Sequence, residues 1–253
     1  MRLAYLSDIH FGQEEDLRAY HFALTLLKPL GIDTVFLGGD IYDHTAVSRY
    51  TKTLEAEGKF QDELDHGFKE LTRLREKLPA VPMHFLPGNH EVRLVSYLQN
   101  KARPLAGLRC LSYEKLYRLE ELGIEYHEEG KPVKFGHLYL AHGHEFPTGG
   151  ANPAMTALNK VNNNLLFGHV HRPSVAVKTE LGGRGLVAYS NPCLGTLTPD
   201  YRLAPDWAQG FSIVDFTPSG CFSVTQIIFW REDDRLATMV EGKLYRERKS
   251  NGR

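Results

Sequence analysis

Cysteine is scarce in this chain, and the three that occur form no pattern. Cys110, Cys193 and Cys221 are odd in number and lack the close spacing of thiolate metal sites. That excludes a disulfide-stapled scaffold and a zinc ribbon, and the expectation is three reduced thiols. Long apolar runs are also missing. None approaches the length of a membrane-crossing helix, and MRLAYLSDIH reaches an Asp-x-His before it can build the apolar region of a secretory signal. A soluble, cytoplasmic protein with no membrane partner is expected. Nor is there an excess of either charge: 30 Lys and Arg stand against 31 Asp and Glu, for a formal net charge of −1. No global field therefore draws the chain toward nucleic acid or an anionic surface. Only residues 243–253 are basic, with Lys243, Arg246, Arg248, Lys249 and Arg253 around Glu247, and they read as a solvated tail. With no repeat, low-complexity segment or linker, residues 1–242 read as one domain.

What the chain does have is one pattern used five times: an apolar run that ends in a short cluster of Asp, Asn or His. It occurs in LAYLSDIH (Leu3 to His10), TVFLGGDIYD (Thr34 to Asp43), VPMHFLPGNH (Val81 to His90), LYLAHG (Leu138 to Gly143) and LLFGHVH (Leu165 to His171). Each run reads as a buried strand. In open α/β sheets the ligand sits outside the carboxyl ends of the strands, so five such ends place their polar residues together.

The rest of the chain is read around those strands. Glu14, Glu15 and Asp16 favour a helix start, and Leu17, Tyr20, Leu24 and Leu27 follow at helical spacing until Pro29 and Gly31. This makes a β-α-β unit with parallel strands. Residues 44–78 read as a polar helical insert broken at Gly58 and Gly67, with His44 and His66 on a solvated face. A short helix is expected just after His90, and another from an N-cap at Ser112 to Gly123. Beyond His171 short alternating runs, such as Phe211 to Phe216 and Cys221 to Trp230, indicate antiparallel strands, expected to form a second sheet packed on the first.

Asp8 and His10 are two apart, as are His169 and His171, so on extended backbone each pair points one way and can grip one ion. Asp40 can bridge two ions, Asn89 offers an amide oxygen and His142 an imidazole. Such mixed ligands suit Mn, Fe, Ni or Zn better than Mg or a thiolate site. The ordered series Asp8-x-His10, Gly39-Asp40-x-x-Asp43, Gly88-Asn89-His90-Glu91, His142-Gly143 and Gly168-His169-x-His171 resembles the calcineurin-like metallophosphoesterase superfamily, most closely its small bacterial or phage-type members. The resemblance implies a four-layer α/β/β/α sandwich of two mixed sheets with flanking helices. It implies two divalent transition metal ions, Mn first, one held by Asp8, His10, Asp40 and His171 and the other by Asp40, Asn89, His142 and His169. Such a pair, about 3.5 to 4 Å apart, activates water and clamps phosphoryl oxygens during in-line displacement.

His90 is left over from the ligand set and reads as the general acid, with Asp43 orienting its ring. Arg93 and His144 are candidate substrate contacts, with a surface arginine and a loop histidine as the alternatives. His84 reads as a packed strand residue, and Trp207 and Tyr201 as base-stacking or core-pinning aromatics. The expected activity is a phosphodiesterase on nucleotide or nucleic-acid phosphodiesters. The alternatives are a phosphomonoesterase, a recombination-type DNA nuclease acting with a partner, and a catalytically idle metal-binding scaffold. Asp43 is followed by His44 and Thr45 where the superfamily's protein phosphatases carry Arg-Gly, which speaks against a phosphoprotein substrate.

Overall fold

A run such as Thr34-Val35-Phe36-Leu37 has no polar face to turn toward water, so it belongs in a sheet covered on both sides. In the computed structural model, which describes residues 1–12, 17–49, 59–198 and 205–248, strand β1 spans Arg2–Leu6 and β2 spans Thr34–Leu37, every residue of β2 being buried. β3 (Met83–Phe85) and β4 (Ile124–Tyr126) extend this parallel set. Parallel neighbours need crossovers. Helix α1 (Arg18–Leu27) is the first, with Tyr20, Leu24 and Leu27 buried as their spacing predicts. The others use α2 (Phe60–Lys77), then α3 (Asn89–Lys101) with the short α4 (Tyr113–Leu116).

A second mixed sheet comprises β5 (Val133–Phe135), β6 (Leu138–Ala141), β7 (Leu165–Phe167), β8 (Ser174–Thr179) and β9 (Gly185–Ser190), in the order β5-β6-β7-β9-β8. Helix α5 (Pro153–Val161) crosses from β6 to β7. Alternation sorts the side chains into layers. Leu3, Tyr5 and Phe36 meet Leu138, Leu140 and Leu166 between the sheets. Ala4, Leu6, Val35 and Leu37 face the other way, into a core that includes Tyr20 and Leu27 of α1 and Leu71 and Leu74 of α2. Ala154, Ala157 and Leu158 of α5 cover the second sheet. The layers are helix, sheet, sheet, helix, as the resemblance implied.

Several expectations need correction. The later strands do not all join the second sheet. β10 (Gly210–Phe216) and β11 (Phe222–Ile228) return to the first, β10 antiparallel to β1, giving the order β11-β10-β1-β2-β3-β4. β10 carries apolar residues on both faces, Phe211 and Ile213 toward the helices and Val214 between the sheets, so it needs a doubly covered position. Gly67 does not break the insert but lies within α2, where any Cβ would come 2.0 Å from the Tyr42 ring. His44 is buried rather than solvated, its Nε2 accepting from the Tyr117 hydroxyl at 2.9 Å. The helix expected to run to Gly123 stops at Leu116, and Arg118 turns into left-handed backbone at φ 54°. Part of the expected tail is strand: β12 (Trp230–Glu232), β13 (Arg235–Val240) and β14 (Lys243–Arg246) form a small antiparallel sheet, with Arg246 paired to Glu232 at 2.7 Å. Glu14–Asp16, Gly58, Tyr201 and residues 249–253 lie outside the described residues.

Glu63 of α2 is buried, and its carboxylate accepts the His44 backbone N–H at 2.7 Å. Burial pushes its pKa up from 4.5 to about 8. Its contribution to stability is therefore full below its unfolded pKa and is lost as the pH rises through the folded value. Glu63→Gln keeps an acceptor oxygen but cannot ionise. Its stability advantage over the parent is expected to grow by on the order of 4 kcal/mol between pH 5 and pH 8.5. Urea midpoints at the two pH values measure this, and equal slopes for both proteins would contradict it.

Candidate metal centre

The chain after each of β1, β2, β3, β6 and β7 carries its polar cluster to one end of the stacked sheets. The backbone there is not extended. Asp8, His10, Asp40, His169 and His171 all have left-handed φ, between 52° and 70°. The geometry by which Asp8/His10 and His169/His171 were expected to point one way is thus replaced by a sharper one. Such residues cost on the order of 1 kcal/mol or more each and persist where their surroundings over-determine them. Here Asp8 N–H donates to the Gly39 carbonyl at 3.0 Å, and the N–H groups of Ile9 and His10 donate to Asp40 O at 2.9 and 3.0 Å.

Two sets of donors gather, Asp8 with His10 and His171, and Asp40 with His142 and His169; a third set, His10, Asp40 and His90, overlaps both. His142 donates Nδ1–H to the Gly38 carbonyl at 2.9 Å. In that tautomer its Nε2 lone pair faces Asp40 Oδ2 at 3.2 Å and Asn89 Oδ1 at 3.1 Å. Three electron-rich atoms so placed call for a cation between them. A proton can serve: burial opposes it, but Asp40 raises the His142 pKa to about 10. A metal serves equally well. Ligand atoms bound at 2.0–2.1 Å around a tetrahedral ion are about 3.3 Å apart, which is the spacing seen here. In the other set His171 Nε2 lies 3.4 Å from His10 Nε2 and 3.3 Å from Asp8 Oδ1. Among the described residues, His169 Nδ1 and His171 Nδ1 have no hydrogen-bond partner. The residues fit divalent metals in number, type and spacing.

A comparison with models of known protein families matches residues 1–183 to the calcineurin-like phosphoesterases. The chain belongs to that family. It is accordingly a metal-dependent phosphoester hydrolase, and all five strand ends fall inside the match. No curated protein matches the chain. Among the described residues no helix is long and apolar enough to cross a membrane.

Around the donor sets this calcineurin-like phosphoesterase places a ring of positioning groups. Asp43 Oδ1 takes His90 Nδ1–H at 2.8 Å and also lies 3.2 Å from His10 Nδ1, while its other oxygen accepts from the Thr45 hydroxyl. Despite burial, the bonds from His10 and His90 hold its carboxyl well below the usual range. Asp43 thus orients a candidate ligand as well as His90. Arg93 donates Nη1 to the Asp43 carbonyl at 2.7 Å and Nη2 toward His90 Nε2 at 2.9 Å. His144 is half-buried beside His142, the ring centroids 5.4 Å apart. Trp207 lies against His171 at 4.3 Å.

Two supports escaped the sequence reading. Glu91 is fully buried, and its carboxylate accepts the N–H groups of Gly88, Asp40, Ile41 and Tyr42 at 2.7 to 3.0 Å, fixing the Asp40 loop to the start of α3. Its position three residues past Gly88, at N3 of a capping box, was the available signal. Gly88 has to lack a side chain, since a Cβ would stand 2.3 Å from Asp40 Oδ1. The second support is a relay from the sheet, with Ser212 donating to Asn191 at 2.6 Å, Asn191 to Ser7 at 3.0 Å and Ser7 to Asp8 Oδ2 at 2.6 Å. Nothing in the local sequence links Ser212 or Asn191 to the Ser7-Asp8 pair.

Proposed function

We propose that the protein is a dinuclear phosphodiesterase acting on nucleotide or nucleic-acid phosphodiesters. The observation that carries the two-metal reading is the pair of donor sets linked by a third, His10, Asp40 and His90, which shares His10 with one and Asp40 with the other. Asp8, His10, Asp40 and His171 would hold one ion, and Asp40, Asn89, His142 and His169 the other. Mn is the first candidate: the carboxylate and amide oxygens admit it, while the imidazoles suit Fe, Ni and Zn as competitors. When bound, the two cations supply Lewis acidity and water activation for in-line displacement at phosphorus.

The chain's own residues handle the leaving group. Asp43 keeps the His90 Nδ1–H, so Nε2 is the atom that faces the reaction. In this structure Nε2 accepts from Arg93, and an acid needs its proton there. Substrate resolves the conflict, because a phosphoryl oxygen is a better partner for a guanidinium than an imidazole is. Arg93 then turns to the phosphate and frees Nε2, which takes up a proton from solvent and passes it to the leaving oxygen. The half-buried Trp207 ring beside His171 places an aromatic side chain next to the donor sets, which supports a substrate that carries a base.

The test is turnover of bis-p-nitrophenyl phosphate against p-nitrophenyl phosphate by metal-stripped protein refilled with Mn. Faster Mn-dependent cleavage of the diester is expected. A preference for the monoester would overturn the diesterase assignment, and no turnover of either with metals bound would favour the idle scaffold.

A further inference from the structure

A separate set of donors meets at the opposite edge of the first sheet from β11. His84 of β3 is the direct cross-strand partner of Glu125 on β4, so the two side chains leave the sheet on the same face. His127, two residues past Glu125, returns to that face. His84 Nδ1 stands 3.1 Å from His127 Nε2 and 3.2 Å from Glu125 Oε2, and Glu125 Oε1 is 4.0 Å from His127 Nε2. These separations again approach the roughly 3.3 Å between ligands of one tetrahedral ion.

The two rings are held in place. Phe36 stacks on His84 and His127 at 6.1 and 5.9 Å, and Phe135 meets His84 edge-on at 5.3 Å. The histidine side chains are only 14% and 18% exposed, whereas Glu125 is 64% exposed and leaves a way in. One hydrogen bond joins only two of the three donors. A single Nδ1–H on His84 can point at the imidazole or at the carboxylate but not both, whereas a cation between them meets all three donors.

We propose that His84, Glu125 and His127 form an additional divalent-cation site, for a first-row ion such as Zn²⁺ held by two imidazoles and a carboxylate, that clips edge strand β4 to β3. Nitrogen-rich donors of this kind select Zn, Ni or Cu over Mg or Ca. β4 is three residues long and, among the described residues, pairs on one side only, so a clip there adds a restraint that its few ladder bonds do not provide. His84 lies within its strand, not at the carboxyl end where the paired donor sets gather, so the site stands apart from the phosphoesterase chemistry.

The experiment is Zn²⁺ stoichiometry by mass spectrometry on stripped, Zn-refilled protein, comparing the parent with Glu125→Gln and His127→Gln. One ion fewer per chain is expected in each variant, with Mn-supported ester turnover unchanged. The difference between proteins reads this site alone, whatever number of ions the paired sets hold. Glu125 is exposed and glutamine keeps its shape, so Glu125→Gln remains informative if His127→Gln misfolds. Crystals grown with Zn²⁺ and measured at its absorption edge give a second reading, with an anomalous peak between the three residues expected. Equal stoichiometry in all three proteins, or anomalous peaks confined to the paired sets, overturns the proposal.

Discussion

Asp40→Asn is expected to lower metal-supported diester turnover by about 10³-fold or more, equivalent to about 4 kcal/mol of lost transition-state stabilisation, with native circular dichroism and a reduced metal content. The argument lies in what the substitution keeps. Asp40 Oδ1 accepts the His90 backbone N–H at 2.8 Å, a bond that the asparagine carbonyl preserves, so the start of α3 stays in place. What is lost is the negative charge. That charge stands 3.2 Å from His142 Nε2 and 3.7 Å from His90 Nε2, and Asp40 is the residue shared between the donor set with His10 and the one with His142 and His169. An amide can offer one neutral oxygen to one ion but cannot bridge two cations. Near-parental turnover with two ions still bound would remove Asp40 from the centre of the chemistry.

The strand ends were legible because each combines an apolar run with a polar cluster, in four of the five beside a glycine, and because the order of five such ends is itself information. The left-handed backbone was not, although Asp and His tolerate it better than most residues, since the i, i+2 rule assumes the extended chain that Asp8 and His10 leave. Glu91 reads locally as a first-turn acid on a solvated helix. Only the arrival of the Asp40 loop, about fifty residues earlier in sequence, buries it under three further N–H groups. The return of β10 to β1 is likewise a long-range choice, set by which doubly covered position is open. His84 looked like a packed side chain, and packed it is, but the partner that gives it possible chemistry, His127, is 43 residues away. Chemistry built from neighbours in sequence could be read, whereas chemistry built across strands needed the fold.

His90 and Asp43 separate two roles that are easily confused. His90→Ala is expected to retain both metals and to lose about 10²- to 10⁴-fold in turnover on a diester with a poor, alkoxide-like leaving group. On p-nitrophenyl esters, whose leaving oxygen departs without a proton, the loss is expected to be much smaller. Asp43→Asn differs, because Asp43 holds His10 at 3.2 Å as well as His90 at 2.8 Å. It is expected to weaken metal binding by about 10- to 100-fold through the disoriented His10 imidazole and to slow both classes of ester. Adding excess Mn restores Asp43→Asn toward the level of His90→Ala but does nothing for His90→Ala itself. Measuring both variants on both leaving groups across a Mn titration distinguishes acid from scaffold. If His90→Ala lost metal, or slowed both esters equally, His90 would be part of the metal-holding set, and the proton for the leaving oxygen would have to come from water.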